Sequence, residues 1–336
     1  RGADGEIVAG RGFWPGLCVS LKHNSKFASF TILAKADFPN ELNISLPFCL
    51  VSNDESNDKL VIMPGYWFMY NMYALARNTW KYANRDRRTE KTQHIECDYL
   101  APDTINEIFD AIDFLSRLQP DAKGNYFAEG FENSQRQTEI VKVPQVIDLF
   151  KELTIFYSIT QLVIHAMLNK FSSFEELKKS IPTKIQRSKW QNIGGQLMTV
   201  SDVDKMKRDI KSGKINSWNQ VHDCYRKSGS NYMNDKLIHA YTSLLEIENI
   251  TSKQFTLQGF KELLEKSVAT KTWMSKAIYA SRAKDYANPF RKMVYESNEE
   301  MNAVMGKLED NQFIQEQFAE ADAYKKIVTG LIKNLK

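Results

Sequence analysis

The hexad Leu21-Lys22-His23-Asn24-Ser25-Lys26 sets one imidazole among polar neighbours. A histidine titrates near pH 6.5, so it can take a proton from a hydroxyl or amine at neutral pH. Lys22 and Asn24 beside it are the residue types that bind phosphate or orient an acceptor. A second constellation lies in YWFMYNMYALARNTWKYANRDRR (66–88). Asn71, Asn78 and Arg85 are seven apart and share a helix face, with Arg77, Lys81 and Arg88 close by and Tyr and Trp interleaved. Guanidinium forks grip phosphate through paired hydrogen bonds and aromatic faces stack on rings, which is what a sugar-nucleotide requires. The bland alternative is that the aromatic stripe packs this helix and the cations are solvated.

The stretch EGFENSQR (129–136) offers Glu129, Glu132, Asn133 and Arg136 as a lid or carboxylate source, or as packing alone. Adjacent His222, Asp223 and Cys224 invite a Cys–His reading, but neighbours on a helix point about 100° apart and cannot form a mutual dyad. His165 and His239 read as structural. No P-loop, dinucleotide fingerprint or metal-binding histidine pair is present, so no metal site is expected and no cofactor is implied.

Composition narrows the classes. With 336 residues, 43% hydrophobic and 26% charged, the chain is long enough for more than one core. A formal charge of +4 is mild for this length, and the densest basic cluster, NRDRR (84–88), carries its own acid, which argues against nucleic-acid binding. Cys18, Cys49, Cys97 and Cys224 are scattered without C-x-x-C spacing, as in a reduced cytoplasmic protein. The most apolar run, LTIFYSITQLVIHAML (153–168), is shorter than the ~20 residues a bilayer needs and carries Gln161 and His165. A buried helix is expected there, and no membrane partner.

Elements that would position these residues follow from periodicity. Residues 3–38 divide into hexads whose first column runs Ala3, Ala9, Pro15, Leu21, Phe27, Leu33 and whose second runs Asp4, Gly10, Gly16, Lys22, Ala28, Ala34. The fifth column reads Ile7, Phe13, Val19, Ser25, Thr31, Asp37. A six-residue count suits the faces of a left-handed parallel β-helix, with His23 in the outward third position; the alternative is a conventional antiparallel sheet whose spacing is accidental. Because the pattern is in phase almost from Arg1, it predicts the C-terminal coils of a longer solenoid. The expected fold is therefore α+β: β-helix coils and a strand cap over 1–60, with LNISLPFCLV (42–51) as a last rung and SNDESND (52–58) as a closing loop, then a mainly α-helical domain over 61–336.

Within that second domain, helices are predicted over 66–88, 104–118, 145–170, 174–179, 202–211, 216–227, 231–249, 256–286, 290–308 and 310–334. Residues 119–143 read as a long loop. The Gly-Gly of KWQNIGGQLM (189–198) breaks the chain, Gly229 ends one helix and Pro289 separates two others.

The run GRGFWPGLCVSLKHNSKFASFTILAKADFPNELNISLPFCLVSN, continued by PGYWFMYNMYALARNTWKYANRDRR, resembles an uncharacterised family of long bacterial proteins. In that family a hexapeptide β-helix precedes a helical C-terminal region. GFENSQR (130–136) and GKINSWNQVHDCY (213–225) resemble its later stretches. More remotely, the β-helix resembles the trimeric superfamily of sugar-nucleotide acyltransferases and the β-helical tails of sugar-phosphate nucleotidyltransferases. That resemblance implies His23 as general base, an acyl donor in a cleft between subunits and threefold association. The function it implies is an acyl- or nucleotidyl-transferase acting on sugar-nucleotide or sugar-phosphate substrates. Lys22, Asn24, Asn71, Arg77, Asn78, Lys81, Arg85 and Arg136 would then bind the substrate. The alternative is a non-catalytic scaffold in which the helices form an interaction module.

Overall fold

The computed structural model describes residues 5–184 and 186–336; Ala3 and Asp4, which open two of the hexad columns, lie outside the described residues. Seven two-residue strands come first: β1 (Val8–Ala9), β2 (Trp14–Pro15), β3 (Ser20–Leu21), β4 (Lys26–Phe27), β5 (Ile32–Leu33), β6 (Asp37–Phe38) and β7 (Asn43–Ile44). They are short because Gly12, Cys18, Asn24 and Phe30, six residues apart, each take a positive φ and turn the chain between consecutive strands.

These strands sort into small sheets. β1, β4 and β7 form one parallel sheet and β3 pairs with β6 in another. β2 pairs in parallel with β5, and β5 with β8 (Leu50–Asp54). β8 then folds back antiparallel on β9 (Lys59–Met63), with Glu55–Asp58 as the hairpin loop. β11 (Gln137–Ile140) adds to β9 in parallel, and β10 (Tyr126–Ala128) closes the far edge antiparallel to β11.

The expected left-handed β-helix with a separate helical domain is therefore corrected. The chain is α+β with several small sheets, the largest six-stranded and mixed. The reason lies after Ile44, where the strands lengthen to five residues and Val51, Leu60 and Ile62 are buried. An alternating strand of that length can make a two-sided ladder, and here it makes an antiparallel one. The expected boundary at residue 60 falls inside β9, and the predicted loop 119–143 contains β10 and β11.

Eleven helices follow among the described residues. They are α1 (Tyr66–Tyr70), α2 (Met72–Arg85), α3 (Pro102–Arg117), α4 (Val143–Asn169), α5 (Phe174–Ser180) and α6 (Val200–Lys211). The rest are α7 (Trp218–Ile247), α8 (Leu257–Ala287), α9 (Pro289–Lys292), α10 (Asn298–Met305) and α11 (Gln312–Asn334). The Gly194-Gly195 pair, both with positive φ, turns the hairpin of β12 (Trp190–Ile193) and β13 (Gln196–Thr199).

Three helix predictions are corrected. The stretch 66–88 is interrupted at Asn71, whose φ of −137° and ψ of 37° separate α1 from α2. The stretch 290–308 divides into α9 and α10. Gly229 ends nothing: α7 runs straight through it, and the absent side chain leaves room for His94, whose Cβ would lie 3.2 Å from an added methyl.

One core joins sheets and helices. Phe27, Leu33, Phe48 and Val51 pack in the same cluster as Trp67, Ile105, Val146, Phe150, Met274 and Phe313. Trp67 Nε1 donates to Phe30 O at 2.6 Å, tying α1 to a turn of the opening strands. A second core lies between α4, α5, α7, α8 and α11, around Leu162, Phe174, Tyr241, Leu244, Phe260 and Leu264. Each fully buried side chain of this size contributes about 1.5–3 kcal/mol, which is why α4, apolar on most faces, sits at the centre. No helix among the described residues is long and apolar enough to cross a membrane.

Candidate functional site

α3 is built to face two ways. Pro102 occupies its first turn, and Ile105, Ile108 and Leu115 are buried on one side. The opposite edge presents Asp103, Asn106, Glu107 and Asp110 at positions i, i+3, i+4 and i+7. These four line a cleft of about 1060 Å³. Its other walls are Lys184, Arg187, Lys189 and Trp190, the C-terminal end of α7 with Thr242 and Glu246, and the turn carrying Thr251, Ser252 and Gln254.

Beside the cleft runs a chain of polar contacts. Arg187 binds Glu246 through Nε at 2.6 Å and Nη2 at 3.0 Å, and its guanidinium lies 3.7 Å from the centre of the Phe109 ring. Arg187 Nη1 also donates to Asn106 Oδ1, while Asn106 Nδ2 donates to Ser188 O at 2.9 Å. The amide is thus oriented with its oxygen toward His239, whose Nε2 lies 3.1 Å away and must carry the hydrogen. His239 Nδ1 then accepts from Tyr157 Oη at 3.2 Å. Burial, with the positive charges of Arg187, Lys184 and Lys236, pushes the His239 imidazole down to about 3, so the ring is neutral.

The acidic wall is anchored from behind. Arg11 clamps Asp103 through Nε at 2.7 Å and Nη2 at 2.9 Å, and reaches the carbonyls of Glu96 and Asp98. Glu107 accepts from Ser29 N at 3.0 Å and from Ser29 Oγ at 3.1 Å. Burial, reinforced by the Asp103 carboxylate, still pushes the Glu107 carboxyl up to about 8. One turn apart, then, sit a carboxylate locked in an ion pair and a carboxyl that holds its proton at pH 7. Deeper in, Glu96 meets Lys236 Nζ at 2.9 Å and accepts from Tyr232 Oη. Burial opposes the Glu96 charge, but Lys236 and the Tyr232 hydroxyl outweigh it and hold the carboxyl below its ordinary value.

None of the residues singled out from the sequence lines this cleft. His23 follows β3 in a turn, where its ring packs against Gly5: a methyl added to that glycine would lie 2.2 Å from His23 Cδ2. Lys22 pairs its backbone N–H with Phe38 O, and Asn24 takes the left-handed turn position, φ 63°. Asn71 is the joint between α1 and α2. Arg77, Asn78, Lys81 and Arg85 stay together along α2; Arg77 lies over Tyr73, and burial plus repulsion from Arg77 and Arg85 lowers the Lys81 ammonium. Arg136 is bound to Glu132 at 2.7 Å and to Asn53, while Asn133 Nδ2 reaches Glu41 at 3.0 Å. The loop 129–136 is thereby strapped to residues 41–43.

What the sequence reading lacked was the polar half of α3. Its apolar stripe was legible, but D-x-x-N-E-x-x-D on the reverse face reads as the ordinary polar side of an amphipathic helix, and only partners distant in the chain make it a cleft wall.

Residues 173–335 match a family described as Domain of unknown function (DUF6819). Over 345 aligned residues the chain is 34% identical to an uncharacterized protein of Treponema pallidum (strain Nichols), an alignment covering 94% of this chain and 46% of that protein. The chain therefore spans about half the length of that relative. No solved structure matches it.

Proposed function

We propose that the cleft beside α3 binds a phosphorylated, hydroxyl-rich small molecule of the sugar-phosphate or sugar-nucleotide class, and that the protein acts on it as a transferase. The observation that carries this reading is the division of charge across the cleft. Arg187 is neutralised by Glu246, and Asp103 by Arg11. That leaves two exposed ammonium groups, Lys184 and Lys189, with no carboxylate at ion-pair distance among the described residues, against one exposed carboxylate, Asp110, on a wall that also holds the protonated Glu107. Lysines suit a phosphate as point charges, the hydroxyl and amide side chains of Thr251, Ser252 and Gln254 suit sugar hydroxyls, and Trp190 offers an aromatic edge.

Glu107 would serve as proton donor to a departing oxygen, since a carboxyl pushed up toward neutrality is matched to that task. His23 and the α2 cations play no part in this version, because they do not line the cleft. The test is a turnover assay over a panel of sugar phosphates and nucleotide-sugars. Glu107→Gln should lower kcat by about 10²–10⁴-fold with little change in KM. Unchanged kcat would remove Glu107 from the mechanism.

A scaffold reading draws on a different feature. Phe290, Met293, Val294 and Val304, on and around α9 and α10, are all more than two-thirds exposed. Exposed large apolar side chains grouped in this way suit a protein contact.

A further inference from the structure

A second concavity lies between α1 and α8, and it shares no residue with the α3 cleft. Its volume is about 310 Å³. The break at Asn71 ends α1 one residue after Tyr70, leaving that ring at the rim, 40% exposed. Tyr66 supports it from behind, with ring centres 5.8 Å apart. On the facing side, α8 presents Trp273, Lys276, Ala277, Ala280, Ser281 and Lys284, which recur at helical spacing and so form one strip. Phe68 and Met72, both buried, are the deepest lining residues, and Ala277 and Ala280 are the small members of the strip. Trp273 is 36% exposed at one end, and Lys284 Nζ lies 5.6 Å from the Tyr70 ring centre at the other.

Neither Lys276 nor Lys284 meets a carboxylate among the described residues. Eight residues of helix separate them by about 12 Å, which is the scale of a nucleotide from base to phosphate. Exposed aromatic faces are costly to leave in water and are worth keeping where a planar ring stacks on them. Two uncompensated ammonium groups beside them select an anion.

We propose that this groove is a second small-molecule site that takes a nucleotide, its base laid on Trp273 at the Lys276 end and its phosphate held by Lys284 at the Tyr70 end. The site stands on α1 and α8 and does not depend on the transferase reading of the α3 cleft. Asn71, set apart in the sequence for ligand contact, instead shapes the groove by ending α1.

The experiment is a calorimetric titration of the intact chain with AMP, with adenosine and with inorganic phosphate. Saturable AMP binding is expected, with adenosine and phosphate each at least tenfold weaker because each satisfies only half of the site. Trp273→Ala should weaken AMP by about tenfold or more, the loss expected for one stacked ring, and Trp273→Phe should restore most of it. Reversing both charges, Lys276→Glu with Lys284→Glu, should weaken AMP by a similar factor. Lys184→Ala with Lys189→Ala should leave it unchanged. Lys276 and Lys284 are exposed, and because Trp273 is only 36% exposed, Trp273→Phe, which keeps the ring, separates lost stacking from lost folding. Absence of saturable AMP binding, AMP binding that Trp273→Ala leaves intact, or loss of binding only in the Lys184/Lys189 variant would each overturn the assignment. So would capture of an acidic peptide that AMP does not displace.

Discussion

His239 Nε2 lies 3.1 Å from Asn106 Oδ1, so a ring buried in α7 fixes the amide that faces the cleft from α3. The same oxygen receives Arg187, and the whole arrangement is set by one amide orientation. Asn106→Leu would leave the His239 N–H and one guanidinium hydrogen without an acceptor. The expected loss of stability is about 1–3 kcal/mol, read from denaturant unfolding. A loss below ~0.5 kcal/mol would show that water or a neighbour replaces the amide at no cost.

Glu107 gives the protein a specific pH response. Folded, it keeps its proton up to about pH 8; unfolded, it releases it near 4.5. Between those values the folded state binds more protons, so stability falls as pH rises, by up to ~1.4 kcal/mol per unit. His239 acts in the other direction: its folded value of about 3 lies below the unfolded 6.5, so its contribution is intact above 6.5 and is lost as pH falls toward 3. The two slopes oppose each other from 4.5 to 6.5, which leaves 6.5 to 8 as the window for Glu107 alone. Glu107→Gln should flatten the stability profile in that window. A variant profile parallel to the wild type there would place the carboxyl's titration elsewhere.

The Lys236–Glu96 pair predicts an asymmetry between single and double variants. Both side chains are only 6% exposed. Lys236→Met alone strands a buried carboxylate and should cost about 3–5 kcal/mol, whereas Lys236→Met with Glu96→Gln should recover most of it. Additive losses in the double-variant cycle would mean that the two charges do not interact.

Gly10 links the opening strands to the cleft. A methyl added there would lie 2.5 Å from Ser29 N and 2.7 Å from Ser29 Oγ, the residue that holds Glu107. Backbone must shift to admit it, so Gly10→Ala should destabilise by about 1–3 kcal/mol, seen as a lowered Tm. An unchanged Tm would mean that the strand yields freely at this point.

Much of the helical half was legible because burial imposes a period. Ile105, Ile108 and Leu115, and Val146 with Phe150 and Leu153, repeat every three or four residues, and their helices lie within two residues of the predicted bounds. The sheets were legible only in part. Phe27 and Leu33, six apart, are buried as their column required, yet spacing along the chain does not say which strand pairs with which. That pairing is decided by distant partners: β9 finds β11 some eighty residues later, through Leu60 opposite Thr138 and Ile62 opposite Ile140. The candidate site was missed for a related reason. Arg11, Ser29, Arg187 and His239 reach α3 from four separate parts of the chain, and none forms a local motif with Glu107. Arg136 shows the converse, a suggestive residue whose charge is spent on Glu132 four positions away.

The claim on which the functional reading rests is that the α3 cleft holds an anionic sugar. Calorimetry with a sugar-phosphate and nucleotide-sugar panel tests it, comparing the wild type with Lys184→Ala/Lys189→Ala, both exposed positions. The account predicts that at least one compound binds the wild type and binds the double variant about thirtyfold more weakly, each of the two lost ion contacts costing roughly 1 kcal/mol. Binding of equal strength to both proteins, or to neither, would contradict it.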